Sequence, residues 1–483
     1  MNLSSDTIRE SLRHLAARLR GARRKYQNTA DKPPLRAELF SAGQMEQHGK
    51  NLAGTHRLSL TRMPDQLLAR LAENEGILLR ICTQLRDTAM VSRRITPAGE
   101  WLLDNFYLIE EQIYAAKRNL PKGYSGELPT LSHGPSAGLP RVYDIALETI
   151  SHGDGRIDAE SFSRFVAAYQ KTTMLTLGEL WAIPIMLGLA LIENLRRVGA
   201  QVAANTTDGN HADSWANQMI EVAKKDPKSL ILVVADMARS NPPMTGSFVA
   251  ELARRLQGQS AALALPLTWI EHRLSESGVT IEQLVQSETQ MQASRQVSIS
   301  NSIGSLRFLG LMDWREFVET MSGVEQKLRE DPSGDYGNMD FATRDHYRHA
   351  VEKLAKASHL SEAEVANKAI QLAQQRAAMA NNGSPGGTGS DRTSHVGYYL
   401  IDKGLPQLKR AVDVRMTITE AFQRLGSRAP LLLYLGTISA LTLIISAGLL
   451  TKIYAGGLHG WMLVPIAMLL ILCTSHLAVA LVN

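Results

Sequence analysis

Between Pro430 and Leu450 the chain carries no Asp, Glu, Lys or Arg, and between Trp461 and Val482 it carries none again. Each run is about 21–22 residues, enough for a helix to cross a hydrocarbon layer roughly 30 Å thick. Only the short connector 451–460 separates them, so the two runs read as a transmembrane helical hairpin. The residues before Pro430 are of ordinary charged, soluble character. The expected architecture is therefore mainly α: a helical cytoplasmic region followed by a two-helix transmembrane hairpin.

Composition supports helices. Aromatic residues are 6% and charged residues 20%, with helix-forming Leu, Ala, Gln, Glu and Arg abundant. The net charge of +5 is only mildly basic and calls for no nucleic-acid partner; a lipid bilayer accounts for it. Cys82 lies in a helical pattern and Cys473 inside the second apolar run, so no disulfide scaffold is expected, as suits a reducing compartment. The Arg-rich start (Arg9 to Lys25) is not followed by the apolar run of a signal peptide. Lys409, Arg410, Arg415, Arg424 and Arg428 precede the first span, whereas the connector holds only Lys452. By the positive-inside rule residues 1–429 are expected on the cytoplasmic side and the connector outside.

The expected organisation has six segments. Residues 1–95 form a basic amphipathic helical segment, and 96–380 a helical cytoplasmic domain. A Gly/Ser-rich linker follows at 381–394, a juxtamembrane helical segment at 395–429, and the spans at 430–450 and 461–482. Thr96-Pro97 is a helix start with Thr at the N-cap and Pro at the first position, so one helix is expected from Ala98 to about Asn119. Trp101, Leu102, Phe106, Ile109 and Ile113 would share its inner face. Leu180–Ile192 is wholly apolar but too short to span, and reads as a buried core helix kinked or started at Pro184. Thr280-x-x-Gln283 and Ser361-x-x-Glu364 have the form of capping boxes. Leu230–Ala235 suits a buried strand or a buried helix.

Several short patterns resemble chemical motifs without the context the chemistry needs. Gly134-Pro-Ser136-Ala-Gly138 matches the G-x-S-x-G elbow, but it sits in a Pro-rich loop with no preceding strand. His152-Gly-Asp154-Gly-Arg156-Ile-Asp158 is a faint cation loop, but Arg156 stands where a ligand is needed; it reads better as a turn with Asp158 capping the next helix. Asp345 and His349 are four apart on one helix face, with no third ligand evident. Gln292-Ala-Ser-Arg295 begins like the Gln-x-x-Arg-Trp motif of processive synthases, but Gln296 replaces the Trp. There is no Asp-x-Asp, P-loop or dinucleotide fingerprint. The residues thus assign no catalytic, cofactor-binding or metal site.

Six sequence blocks, in order and spacing, resemble the N-terminal region of cyclic β-1,2-glucan synthases. They are Leu102-Leu-Asp-Asn-Phe-Tyr-Leu-Ile-Glu-Glu-Gln112; Pro140-Arg-Val-Tyr-Asp-Ile-Ala146; His152-Gly-Asp-Gly-Arg156; Leu177-Gly-Glu-Leu-Trp-Ala-Ile-Pro-Ile-Met186 continuing to Ile192-Glu-Asn-Leu-Arg-Arg197; Asn301-Ser-Ile-Gly-Ser-Leu-Arg307 with Asp313-Trp314; and Met339-Asp-Phe-Ala-Thr-Arg-Asp-His-Tyr-Arg348, with His395-Val-Gly-Tyr-Tyr-Leu-Ile401 after it. The resemblance implies an inner-membrane glycosyltransferase several times longer than this chain. Its transferase domain would follow the first two spans and use UDP-glucose with a divalent metal (Mg or Mn). Cyclising and phosphorylase-like domains would come later. On this reading the chain is an N-terminal, non-catalytic part ending where the transferase would begin. Its partners would be the bilayer and the remaining domains and transmembrane helices of the synthase. None of the family's catalytic residues falls on it, and no tyrosine is assigned as the carrier of the glucan. The alternative from another class is a free-standing membrane-anchored adaptor or regulator.

Two outcomes are expected. An antibody to residues 1–380 should detect a native membrane protein several times larger than 53 kDa on immunoblots. A fluorophosphonate probe should leave Ser136 unlabelled.

Overall fold

The structure, a computed structural model, describes residues 33–414 and 430–482 apart from positions 60, 62–63, 92–93, 121–122, 276–277, 383–391, 457–459 and 462. The Arg-rich start, most of the Gly/Ser-rich linker, and Arg415, Arg424 and Arg428 lie outside the described residues. Every named regular element among the described residues is helical, with only isolated bridges such as Thr130 to Pro140. The chain divides into two compact units between Gln326 and Lys327.

The first unit contains α1 (Ala42–Thr55), α2 (Leu67–Met90), α3 (Pro97–Asp104), α4 (Phe106–Asn119), α5 (Arg141–Gly153) and α6 (Ala159–Gln170). There follow α7 (Leu177–Lys225), α8 (Leu230–Ser240), α9 (Gly246–Leu256), α10 (Ala264–Ser275), α11 (Ile281–Leu311) and α12 (Trp314–Met321). The apolar run Leu180–Ile192 is buried, as expected, but it is only the start of a 49-residue helix. That helix starts before Pro184, not at it. Thr176 and Glu179 close a capping box at the N-terminus, so Pro184 is inside α7.

Two apolar cores share α7. Around its first half, from Leu177 to Ala203, pack Leu71, Leu78 and Leu85 of α2, Ile145 and Ile150 of α5, and Ile299, Ile303 and Leu306 of α11. Around its second half, Ala212, Ala216 and Met219 meet Val233 and Met237 of α8, Phe248 and Leu252 of α9, Ile270 of α10 and Ile281 of α11. α11 therefore also serves both cores. Thr280 and Gln283 close its capping box.

Thr96 caps α3 as read from the sequence, accepting from the Gly99 amide, and the helical stretch ends at Asn119. The single helix expected from Ala98 is, however, broken at Asn105. The Asn105 amide nitrogen donates to the Trp101 carbonyl at 2.9 Å, and its oxygen accepts from Arg307 at 2.5 Å. A short amide side chain bonding its own backbone competes with the helix ladder. Leu102, Phe106, Ile109 and Ile113 are buried, but Trp101 is 42% exposed, so it is not on the inner face. Leu230–Ala235 is helical, within α8: Leu230, Val233, Val234 and Met237 face inward at helical spacing while Ile231 and Leu232 are exposed.

The second unit contains α13 (Phe341–Lys356), α14 (Glu362–Asn382), α15 (Val396–Leu400), α16 (Leu405–Ala411), α17 (Pro430–Ala455) and α18 (Leu463–Val482). Ser361 and Glu364 exchange the bonds of the expected capping box before α14. Asp331 accepts from the Val396 amide at 2.9 Å and so tethers the start of α15.

Three helices among the described residues are long and apolar enough to cross a membrane: α7, α17 and α18. Their burial separates them. The apolar window of α7 is 78% buried, whereas those of α17 and α18 are 11% buried. α7 is a core helix, and α17 and α18 form the hairpin. Twenty-six residues in α17 reach about 39 Å at 1.5 Å per residue, more than a hydrocarbon layer needs. Its partner is α18. Ser446 and Thr474 hydrogen-bond at 2.7 Å, and Thr442 and Ala478 are buried with them. Leu443, Ile444, Met468, Leu469 and Leu472 face outward. Small and hydroxyl residues at the seam with aliphatic residues outside are the pattern of helices packed in lipid.

Two glycines test the packing of the first unit. A Cβ on Gly49 in α1 would lie 2.9 Å from the Phe165 carbonyl oxygen, whereas one on Gly76 in α2 meets nothing within 4 Å. Gly49→Ala should destabilise by about 1–3 kcal/mol. Gly76→Ala should stabilise by about 0.5–1 kcal/mol. Thermal unfolding of the two variants reads both signs.

Candidate functional site

The resemblance blocks that fall in the first unit meet at buried polar contacts there. Arg141, at the start of α5, clasps Glu179 of α7 through Nε–Oε1 at 2.5 Å and Nη2–Oε2 at 2.7 Å. Both side chains are almost fully buried. Arg141 also donates to the Met174 carbonyl at 2.8 Å. Glu179 thus closes the α7 capping box and anchors α5 with one carboxylate.

One helical stretch further along α7, Glu193 is buried in the larger core. Arg70 of α2 approaches it bidentately at 2.5 and 2.6 Å, Tyr143 of α5 donates at 3.1 Å, and Arg197 closes the site from the next turn. Burial alone would push this carboxyl up. The hydrogen bonds and charges of Arg70, then of Arg197, outweigh it and hold Glu193 at about 2. Burial, followed by the Glu193 charge, pushes the Tyr143 phenol up, so it stays a neutral donor.

The loop His152–Asp158 sits on α11. Asn301 donates to the Asp154 carbonyl at 3.1 Å, and the Ile157 amide donates to Ser305 Oγ at 2.9 Å. Gly155 has a φ of +78°, and a Cβ there would stand 2.3 Å from Ser302 Oγ. The glycine is required by both conformation and close approach. Asp154 faces Arg36 at 3.5 Å, and Asp158 caps α6 through the Ser161 amide at 2.9 Å. The carboxylates of the loop therefore face away from a common ion, and the capping role read for Asp158 holds. Asn194 of α7 completes this seam, donating to Ser298 and Ser302 of α11 at 3.2 and 3.1 Å.

The remaining sequence motifs also resolve into structural contacts. Ser136 is buried in a turn between the left-handed Gly134 and Gly138, and α5 begins only at Arg141. This is not the exposed strand-to-helix turn of a nucleophile elbow. Arg295 pairs with Glu288 at 3.1 Å, and Gln292 and Asn205 donate to the same carboxylate oxygen at 3.2 and 3.0 Å. Asp345 and His349 approach to 3.4 Å, yet Arg348 also engages Asp345 at 3.1 Å, and His349 turns to Glu352 at 2.9 Å. Burial pushes the Cys82 thiol up to about 12, so it is no nucleophile at neutral pH.

A cluster that sequence reading missed joins α1 to α5. His48 Nε2 lies 2.8 Å from Glu148 Oε2, and His152 Nε2 lies 3.3 Å from the same oxygen. Glu148 and His152 are four apart on one helix face, a pairing visible in the sequence. His48 is 100 residues away from Glu148, and only the fold supplies it. A cleft of about 330 Å³ adjoins the cluster, lined by Phe40, Met45, Thr149, His152 and Arg156.

No family model matches the chain. Cyclic beta-(1,2)-glucan synthase NdvB of Rhizobium meliloti (strain 1021) is 31% identical over 385 residues, 80% of this chain. The chain is similar to a cyclic β-(1,2)-glucan synthase. It spans only 13% of the length of that relative. In structural terms, blocks in the first unit pair with one another: the Arg141 block with the Glu179 block, and the Asn301 block with both the His152 loop, through Asn301, and Asn194, through Ser302.

Glu193 generates a pH prediction. Its carboxyl titrates near 4.5 when free and at about 2 when folded. The stability it contributes is complete above about 4.5 and is lost as pH falls towards about 2. Glu193→Gln should cost on the order of 3 kcal/mol at pH 7. The gap between wild type and variant, read by circular dichroism melts, should narrow between pH 4.5 and 2.5.

Proposed function

We propose that the chain is the N-terminal, non-catalytic part of a membrane-bound cyclic β-1,2-glucan synthase. Its helical units and hairpin position a glycosyltransferase, fed by UDP-glucose with a divalent metal (Mg or Mn), against the inner membrane. The observation that carries this reading is where the resemblance blocks fall. Arg141 and Glu179 pair with each other, Glu193 accepts from Tyr143 and Arg70, and Asn194 and Asn301 donate to Ser298 and to the Asp154 carbonyl, so these charged and amide side chains are spent on contacts inside the fold. Groups paired in this way hold a scaffold together and offer little to a sugar nucleotide. The similarity to NdvB supports the relation to a membrane glucan synthase, and the paired apolar helices α17 and α18 support a bilayer contact. With the basic residues before α17 inside, the connector lies on the periplasmic face and the soluble units in the cytoplasm.

Purified in detergent, the chain should transfer no glucose from UDP-glucose with Mg or Mn. Within a full-length synthase, Arg141→Met should lower the amount of folded enzyme in membranes. It should leave the KM for UDP-glucose and the turnover per folded molecule unchanged. Robust transfer by the chain alone, or a changed KM in the variant, would refute the division of labour.

A further inference from the structure

The side chains of His48, Glu148 and His152 bring three metal-ligating atoms together. His152 Nδ1 stands 2.6 Å from the Glu38 carbonyl oxygen. A carbonyl only accepts, so Nδ1 carries the hydrogen. In the neutral ring Nε2 then holds a lone pair, and it faces Glu148 Oε2 at 3.3 Å. Two acceptors face each other, with His48 Nε2 a further 2.8 Å contact on the same oxygen. The three donor atoms all lie within 4.8 Å of one another.

The surroundings hold these donors in place. Phe40 stacks on the His152 ring at 3.8 Å with an interplanar angle of 8°, and meets His48 edge-on at 5.5 Å. The Phe40 and Ala37 amides bond to the carbonyls of His152 and Ser151 at the end of α5. A ligating histidine whose other ring nitrogen donates to a backbone carbonyl is the usual second-shell arrangement of a metal site.

We infer that His48, Glu148 and His152 bind one divalent ion of the zinc class. Two imidazoles and one carboxylate suit zinc and its neighbours better than magnesium or manganese. A tetrahedral ion with bonds of about 2.0–2.1 Å spaces its donors about 3.4 Å apart. The observed 2.8 and 3.3 Å to Glu148 need only small shifts, and the two histidine nitrogens lie within 4.8 Å of each other. Three protein ligands leave one position for water. The bound ion cross-links α1 to the C-terminal turn of α5, so it acts as a clasp on the first described helix. The inference is independent of the proposed function.

The test uses the full chain in detergent, stripped with chelator and dialysed against Zn²⁺ or Co²⁺. One equivalent of zinc should remain bound, and Co²⁺ should give the intense visible bands of a four-coordinate ion. His48→Gln and Glu148→Gln should each weaken binding at least tenfold, whereas His349→Gln should not. No retained zinc, or equal binding in all three variants, would overturn the site and leave only a shared proton between Glu148 and the histidines. Should the variants fail to fold, the wild type decides. Site-resolved modification by diethyl pyrocarbonate should be blocked by zinc at His48 and His152, and modification equal with and without zinc overturns the inference.

Discussion

A helix that is apolar on every side must be wrapped on every side, and the first half of α7 imposes that condition on the rest of its unit. From Leu180 to Leu195 almost every side chain is buried, with Glu193 and Asn194 the exceptions in kind, and Glu179 is buried just before them. Helices α2, α5 and α11 supply the wrapping. Each fully buried Leu or Ile there contributes roughly 1.5–3 kcal/mol, but that attraction is non-directional. Direction comes from Glu179 and Glu193. A buried carboxylate left without its cation costs several kcal/mol, so only arrangements that bring Arg141 and Arg70 to them survive. The apolar surface drives collapse, and the two ion pairs set the register of α5 and α2 along α7.

The same helix explains why one unit contains two cores. Beyond Ala203 the inward residues of α7 become small, Ala212 and Ala216, and the shorter helices α8 to α10 close around them. α11 returns alongside, with Ile281 in the second core and Ile303 in the first. Two long helices therefore serve as common walls. The seam between them in the first core is polar where Asn194 meets Ser298 and Ser302, and that seam is also where the His152 loop seats.

Much of this was legible in the sequence, and the failures have physical reasons. Caps are local, so Thr96, Thr280 and Ser361 announced their helices, and the charge-free runs announced α17 and α18. Leu230, Val233, Val234 and Met237 follow helical spacing, but a six-residue window ending at Ala235 excludes Met237 and leaves strand and helix equal. At the break, Asn105 bonds both the nearby Trp101 carbonyl and Arg307, some 200 residues away, and the second partner is in no local pattern. The pairs Arg70–Glu193 and Arg141–Glu179 were equally hidden, because charge on a sequence does not reveal which carboxylate will be buried. Of the cluster at the end of α5, the sequence displayed two members at helical spacing, and the third arrived only through folding.

The burial of α7 has a consequence for how the chain is made. At about 5–20 residues per second, the run Leu180–Ile192 emerges from the ribosome about 5–20 s before the part of α11 that covers it. During that interval α2 and α5 already exist, but the α11 side of an apolar segment with the hydropathy of a membrane span stays open to the cytosol. The nascent chain thus offers targeting factors and chaperones an apolar segment well before α17 and α18 are synthesised, and the lifetime of that exposure is set by the separation of α7 and α11 along the chain.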